Sequence, residues 1–116
     1  METVNHWIDG REFVSKSNRT APVFDPALGV ETKRVALANS EEISAAILSA
    51  KKAFPSWRDT SLAKRQAIIF NFRELLNSKK EELAQIITSE HGKVLSDALG
   101  EITRGQEVVE FAVGIP

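Results

Sequence analysis

The pattern of apolar and polar positions changes near residue 38 of the chain. Before it, short apolar pairs are separated by turn dipeptides, which is typical of short strands. After it, apolar residues recur every three or four positions, as on one face of a helix. The sequence therefore predicts an α+β fold, mainly α-helical, in which short strands in residues 1–38 precede about four helices in residues 39–116.

The amino-terminal part contains two predicted strand pairs. Asp9-Gly10, a strong hairpin dipeptide, separates Trp7-Ile8 from Phe13-Val14. A second pair is predicted around Val23-Phe24 and over residues 34–37. Its turn signals are Asp25-Pro26 and Leu28-Gly29. Because these strands are too few and too short to form a core alone, we expect them to pack against helices of this chain or against another domain or subunit.

The first predicted helix begins at a capping box formed by Asn39 and Glu42 and ends at Pro55. Its apolar positions are Ile43, Ala46, Ile47, Ala50 and Phe54. The second covers about residues 62–77, with Arg65, Arg73 and Glu74 expected in solvent. Its predicted inner face consists of Ile68, Ile69, Phe72, Leu75 and Leu76.

The third and fourth helices are separated by a predicted helix end at His91-Gly92. A second capping box, Ser78 and Glu81, predicts where the third helix begins, and Gly92 is a natural left-handed cap at its end. The apolar face of the third helix is Leu83, Ile86 and Ile87. The fourth helix begins near Leu95, with apolar positions Leu95, Ala98, Leu99, Ile102, Val109 and Ala112. Gly105 falls on the same face, which predicts a close packing contact there.

Composition and charge exclude several classes of function. Fifteen Lys and Arg residues nearly balance sixteen Asp and Glu residues and are interspersed with them, so we expect no nucleic-acid or membrane partner. The 116 residues contain no cysteine, which excludes disulfides, thiolate metal sites and a thiol nucleophile within this chain. Without a signal-like or membrane-spanning segment, the expected location is the cytoplasm.

Generic motifs of chemistry are also missing. The "HGK" sequence at residues 91–93 lacks the other residues of a phosphate-binding loop, and "GEITRG" does not match a dinucleotide fingerprint. The two histidines, His6 and His91, are far apart in sequence and have no partners at metal-ligand spacing. We therefore expect both to be structural or surface residues, and we expect no metal, catalytic or cofactor-binding residue in this chain.

Several phrases, in their order along the chain, carry a more specific signal. They are "WIDG", "DPALG", "AAILSAKKAFPSWR", "RQAIIFNFRELLNSKKEELAQIITSEHGK" and "ALGEITRGQEVVEFAVG". Together they resemble the amino-terminal part of the aldehyde dehydrogenase superfamily, over essentially the whole chain. Within it, "EHGKVLSDALGEITRGQEVVEFA" is most similar to the methylmalonate-semialdehyde dehydrogenase branch, whose members are acylating.

The resemblance implies an activity that this chain does not hold by itself. Members of the branch oxidise a semialdehyde with NAD through a cysteine nucleophile and transfer the acyl group to coenzyme A, giving propionyl-CoA or acetyl-CoA. We therefore expect residues 1–116 to be the amino-terminal segment of such an enzyme, with the catalytic domain absent. On this interpretation the segment is inactive alone and binds neither NAD nor coenzyme A well. Its expected partners are the remainder of the enzyme, the semialdehyde substrate and further copies in a homo-oligomer.

One substrate contact is implied within the chain. The position in "GEITRG" that matches the arginine receiving the substrate carboxylate in this branch is Arg104. A helical side chain leans towards the amino terminus, so Arg104 should lie over the turn that contains Gly100. Spacing alone favours a surface ion pair of Arg104 with Glu101 or Glu107, and the role in substrate recognition is favoured only when the resemblance is added.

Other family phrases imply structural roles. Glu90, Gly92 and Lys93 resemble a shared "E-x-G-K" phrase, which we interpret as a helix end with a fixed charge pair. Phe54 and Trp57 match an aromatic phrase and are expected to be core or loop anchors. Asp25 stands where the family often has asparagine, a difference that concerns a turn.

Two other functions remain open from the sequence. The chain could be a free-standing helical binding or assembly module, a hypothesis that differs from the enzyme in the sequence expected after residue 116. It could also belong to a general aldehyde dehydrogenase with another substrate. Whichever function applies, the amphipathic helices are expected to be shaped to cover a neighbouring domain. In the isolated chain they should therefore expose apolar surface and promote self-association.

Overall fold

A computed structural model describes residues 1–115, and the chain divides into two compact units. Within the described residues, the first unit, Met1–Asp59, contains five strands and helix α1. The second unit, Thr60–Pro116, contains helices α2, α3 and α4. The predicted change from strands to helices near residue 38 is confirmed, whereas the boundary between the units falls later, after α1.

The strands of the first unit form two small sheets. The strands are β1 (Glu2–Val4), β2 (His6–Ile8), β3 (Arg11–Phe13), β4 (Thr20–Asp25) and β5 (Val30–Ala36). β2 and β3 pair as an antiparallel hairpin, while β5 lies between β1 and β4 in a three-stranded sheet. β5 is antiparallel to β4 and parallel to β1. The sequence pattern did not predict β1, because its residues do not alternate between polar and apolar and the strand pairs only with β5.

The turns that join paired strands follow the predicted chemistry. Asp9 and Gly10 have φ values of 58° and 73°, the left-handed pair required by a two-residue hairpin turn of the primed type. Between β4 and β5, the Asp25 carboxylate accepts hydrogen bonds from the backbone N–H groups of Ala27 (2.8 Å) and Leu28 (3.0 Å). Gly29, with φ of 69°, then donates to the Asp25 carbonyl oxygen. Both predicted turns are confirmed.

Pro22 lies within the edge strand β4 without losing a bond to β5. The backbone N–H of Leu37 donates to the carbonyl oxygen of Arg19 at 2.9 Å, so these two residues form a hydrogen-bonded pair. Pairs alternate along an antiparallel ladder, which makes Pro22 and Arg34 a non-bonded pair. The nitrogen of Pro22 therefore points away from β5, and its missing N–H weakens the free edge of the sheet as a template for another strand.

Helix α1 covers Ser40–Arg58 and begins at the predicted capping box. The Asn39 side chain accepts from the Glu42 N–H, and the Glu42 carboxylate accepts from the Asn39 N–H, both at 2.9 Å. The prediction that the helix ends at Pro55 is wrong. Proline removes one N–H donor, but its carbonyl still accepts from the Asp59 N–H at 3.1 Å, so the last turn is retained.

The second unit is formed by α2 (Leu62–Ser78), α3 (Lys80–His91) and α4 (Leu95–Val113). Gly92 ends α3 in the predicted left-handed conformation, with φ of 84°. The predicted capping box at Ser78 is wrong. Ser78 belongs to the last turn of α2, where its hydroxyl donates to the Leu75 carbonyl oxygen, and α3 begins after Lys79 without a side-chain cap.

The predicted inner face of α2 is also partly wrong. Ile69 and Leu76 are half-buried, but the other apolar members of that face, Ile68, Phe72 and Leu75, are exposed. Arg73, which was expected in solvent, is half-buried and donates from Nε to Glu110 on α4 at 2.9 Å. Apolar residues occur over a wide sector of the α2 surface. The part of that sector that is buried depends on where α2 contacts α4.

Few apolar side chains are buried within the described residues. The buried ones are Ala36, Ala84, Ala98 and Val113. Phe54 and Trp57 lie in α1 with exposures of 58% and 43%, so the prediction that they are core or loop anchors is wrong for this chain. The expected exposure of apolar surface on the helices is confirmed, and the exposed set includes Ile43, Ile47 and Phe72.

Candidate functional site

Arg104 lies on α4, one turn after Gly100, as its spacing predicts. Its Nη1 atom is 3.7 Å from the position that a Cβ would take at Gly100. The side chain thus extends over the turn that Gly100 leaves without a side chain. At Gly105, by contrast, an added Cβ would meet nothing within 4 Å among residues 1–115. The predicted close packing contact at Gly105 is therefore not formed in this structure.

The carboxylate best placed to pair with Arg104 is occupied by another cation. Glu101 lies three residues before Arg104, but its Oε1 atom accepts from the Lys93 ammonium in an ion pair. Among the described residues, Arg104 itself has no hydrogen-bond or ion-pair partner, and its side chain is exposed. Neither the pair with Glu101 nor the one with Glu107 is formed, and the guanidinium presents its donors to solvent.

The charges around Arg104 favour an anion. The hydrogen bond from Lys93 is the main reason why the pKa of Glu101 lies below its usual value, and the charges of Lys93, His91 and Arg104 lower it further. Glu101 is thus ionised at neutral pH and forms its ion pair with Lys93, so Arg104 is left without an ion-pair partner among the described residues. A planar guanidinium that has no ion-pair partner can bind a carboxylate through two parallel hydrogen bonds.

A second cluster is centred on Glu42, the only charged residue buried among those described. Besides the Asn39 backbone, its carboxylate accepts from the Ser15 hydroxyl at 2.9 Å and the Lys16 N–H at 2.7 Å. His6 Nε2 lies 3.7 Å away. These donors, led by Asn39, lower the pKa of Glu42 from 4.5 to about 2 against the opposing effect of burial. The cluster ties the segment after β3 to the start of α1.

The Glu42 cluster was only half visible in the sequence. The spacing of Asn39 and Glu42 predicted the capping box, but Ser15 and Lys16 are 27 and 26 residues away from Glu42. A pattern of neighbouring residues in the sequence cannot predict contacts between residues so far apart in the chain. Because the hydrogen bonds from Ser15, Lys16 and Asn39 to Glu42 join separate segments of the chain, we assign the cluster a structural role. The buried His6 Nε2 atom beside it has no hydrogen-bond partner among the described residues.

Two kinds of reactive group are absent among the described residues. They include no cysteine and no group of three or more side chains that could hold a metal ion. His6 contacts the Glu42 cluster, whereas His91 lies in the last turn of α3, so the histidines occupy separate units. None of the helices within residues 1–115 is long and apolar enough to cross a bilayer.

Comparison with known proteins identifies the class. Residues 13–116 match the family model described as the Aldehyde dehydrogenase family, and the chain belongs to that family. The chain is 41% identical, over all of its length, to malonate-semialdehyde dehydrogenase of Pseudomonas aeruginosa. It is 39% identical, over 97% of its length, to the mouse mitochondrial methylmalonate-semialdehyde/malonate-semialdehyde dehydrogenase [acylating].

A solved structure supports the same relationship. The chain superimposes with a TM-score of 0.96 and 42% identity on a Sinorhizobium meliloti protein described as a methylmalonate-semialdehyde dehydrogenase homologue and crystallised with NAD. All of this chain is covered, but only 24% of that protein is. The chain likewise spans 23% of the Pseudomonas relative and 21% of the mouse relative. It corresponds to an amino-terminal part of such dehydrogenases.

Proposed function

We propose that the chain is the amino-terminal part of an NAD-dependent, coenzyme A-acylating dehydrogenase for malonate or methylmalonate semialdehyde. The names of the relatives supply the substrate class and the acylating reaction, and the crystallised homologue supplies NAD. With malonate semialdehyde, NAD⁺ and coenzyme A are consumed, and acetyl-CoA, CO₂ and NADH are formed. With the methylmalonate substrate the acyl product is propionyl-CoA.

Within this enzyme, Arg104 binds the carboxylate of the semialdehyde. The observation that carries this role is the guanidinium itself, which is exposed, lies over Gly100 and is without a partner among residues 1–115. A substrate with a carboxylate at one end and an aldehyde at the other gains two charge-assisted hydrogen bonds from such a group. An uncharged aldehyde gains none.

The chemical step belongs to the remainder of the enzyme. The chain has no thiol to attack the aldehyde, and its sequence has no glycine-rich loop to hold the phosphates of NAD or coenzyme A. NAD and coenzyme A do not fit the residues of this chain. We therefore assign the binding of both, and the cysteine nucleophile, to the rest of the parent protein. The segment alone is then inactive.

The remaining parts of the proposal concern assembly and location. The parent enzyme is proposed to be a homo-oligomer in the cytoplasm, with the rest of its own chain as the main partner of this segment. The mouse relative is named as mitochondrial. Location therefore requires its own test, by fractionation of cells that produce the parent protein.

The role of Arg104 is tested by Arg104→Leu in the full-length parent protein, with malonate semialdehyde and propanal as alternative substrates. We expect kcat/KM for the semialdehyde to fall about tenfold or more, since a charge-assisted hydrogen bond contributes about 1.5–3 kcal/mol. For propanal it should change by less than about twofold. Arg19→Leu, which removes another exposed arginine, is the matched control. An equal loss with both substrates would show that Arg104 does not recognise the carboxylate, as in a general aldehyde dehydrogenase.

A further inference from the structure

The arrangement of Lys93, Glu101 and Arg104 differs from what helix spacing alone favours. An acidic and a basic residue three positions apart on a helix usually pair when neither has a better partner. Here Glu101 contacts Lys93, whereas Arg104 acts on Glu101 only through its charge and has no hydrogen bond or ion pair among the residues described. Glu101 therefore pairs with Lys93 rather than with Arg104.

The low exposure of Lys93 explains why Glu101 pairs with it rather than with Arg104. The side chain of Lys93 is 19% exposed, while that of Glu101 is 40% exposed, so solvent screens this ion pair less than a fully exposed pair. Arg104 is an exposed residue and its alternative pair with Glu101 would be screened more. Lys93 also lies directly after Gly92, whose left-handed conformation ends α3 and leads the chain towards α4.

We infer that Lys93 is a positioning residue for the substrate site: by holding Glu101, it keeps the Arg104 guanidinium free for the carboxylate of the substrate. This inference rests on the proposed role of Arg104. Lys93 acts in two ways, since it removes a competing carboxylate from Arg104 and neutralises a negative charge that would repel an anionic substrate. It does not itself contact the substrate.

The test uses the full-length parent protein and steady-state kinetics with malonate semialdehyde and propanal. Lys93→Met keeps an unbranched side chain that is one atom shorter and removes its charge. Glu101 is then free to pair with Arg104, and we expect KM for the semialdehyde to rise about threefold to tenfold. We expect kcat for the semialdehyde and both constants for propanal to stay within about twofold.

A second substitution separates this role from a structural one. Lys93→Met/Glu101→Gln removes both members of the ion pair, so nothing competes for Arg104 and KM for the semialdehyde should return to the original value. Glu101→Gln alone should leave KM unchanged or lower it. If Lys93 served only to join α3 to α4, the double variant would be no better than Lys93→Met, and the inference would be wrong.

Two further variants act as controls. Lys93→Arg retains a cation and should retain the original KM. Lys79→Met removes the lysine of another Lys–Glu pair in the same unit, Lys79 with Glu82 at 2.7 Å, and should leave KM unchanged. A rise in KM with Lys79→Met would mean that any loss of charge weakens anion binding, which would overturn a specific role for Lys93.

The result with Arg104→Leu distinguishes failure of the inference from failure of the proposed function. If that variant loses the semialdehyde selectively but Lys93→Met does not raise KM, the inference alone is overturned. If it affects both aldehydes equally, the proposed recognition by Arg104 fails, and the inference fails with it.

Discussion

The Nη1 atom of Arg104 lies 3.7 Å from the position that a Cβ would occupy at Gly100. That distance is an ordinary van der Waals contact, so an alanine at residue 100 fits beneath the guanidinium without moving it. A β-branched residue there adds two further carbon atoms in the space that the guanidinium crosses. The relationship makes residue 100 a sensitive probe of where Arg104 must lie.

Gly100→Ala should raise the stability of the 116-residue chain by about 0.5–1 kcal/mol, because alanine loses less backbone freedom in a helix than glycine. Thermal and urea unfolding followed by circular dichroism measure this change. In the parent enzyme the same variant should keep KM for malonate semialdehyde, whereas Gly100→Val should raise it by displacing Arg104. Gly105→Ala, where an added Cβ meets nothing within 4 Å among residues 1–115, is the matched control for helix stability. Equal KM values for the alanine and valine variants would contradict the contact.

The Glu42 cluster should make the stability of the chain depend on acid pH. The pKa of Glu42 is about 2 in the folded chain and 4.5 ordinarily, so the proton binds the unfolded chain more tightly. Its contribution is therefore fully present above about pH 4.5 and is lost as the pH falls towards 2. Urea unfolding at a series of pH values should show this loss, with a smaller slope in Glu42→Gln.

Glu41→Gln is the control for that experiment, since Glu41 is an exposed neighbour in the same first turn of α1. It removes the same charge but none of the bonds around Glu42. The slope that remains in Glu42→Gln should come in part from Glu101 and Glu110, whose pKa values are also lowered, mainly by hydrogen bonds from Lys93 and Gln106 respectively. If Glu41→Gln reduced the slope as much as Glu42→Gln, the pH dependence would not come from the cluster.

Ala84 is one of two alanines in the second unit that are fully buried among the described residues. It is fully buried on α3, and Ala98 on α4 is fully buried as well. Ala84→Leu should destabilise the chain by about 1–3 kcal/mol, because a larger side chain has no space there. Gln85→Leu, at the adjacent exposed position, introduces the same side chain and should change the stability by less than about 0.5 kcal/mol. Urea unfolding of the two variants gives the comparison, and equal losses would contradict tight packing at Ala84.

The isolated 116-residue chain should self-associate. Its exposed apolar residues include neighbours on one face of α1, Ile43 and Ile47, and apolar surface of this kind promotes association. Light scattering over a range of concentrations should show a mass that rises with concentration, and Ile43→Ser/Ile47→Ser should reduce the rise. Ser44→Ala, an exposed position in the same helix, is the control. A constant monomer mass at high concentration would contradict the prediction.

The candidate site could be predicted only in part. The position of Arg104 over Gly100 followed from helix geometry, because the two residues are four apart on one helix. The partner of Glu101 did not, since Lys93 lies outside α4 and competes with Arg104 only once α3 and α4 are packed together. The Ser15 and Lys16 donors to Glu42 were missed for the same reason of distance along the chain.

The sequence by itself determined the features that depend on neighbours a few residues apart. These are the Asp9-Gly10 turn, the capping box at Asn39, the left-handed end at Gly92 and the change from strands to helices. The order of its phrases also identified the family. Only the tertiary structure decided which face of α2 is covered, that β1 pairs with β5, and that Glu101 binds Lys93. Those outcomes depend on contacts between different elements of the fold, and such contacts leave no local signal in the sequence.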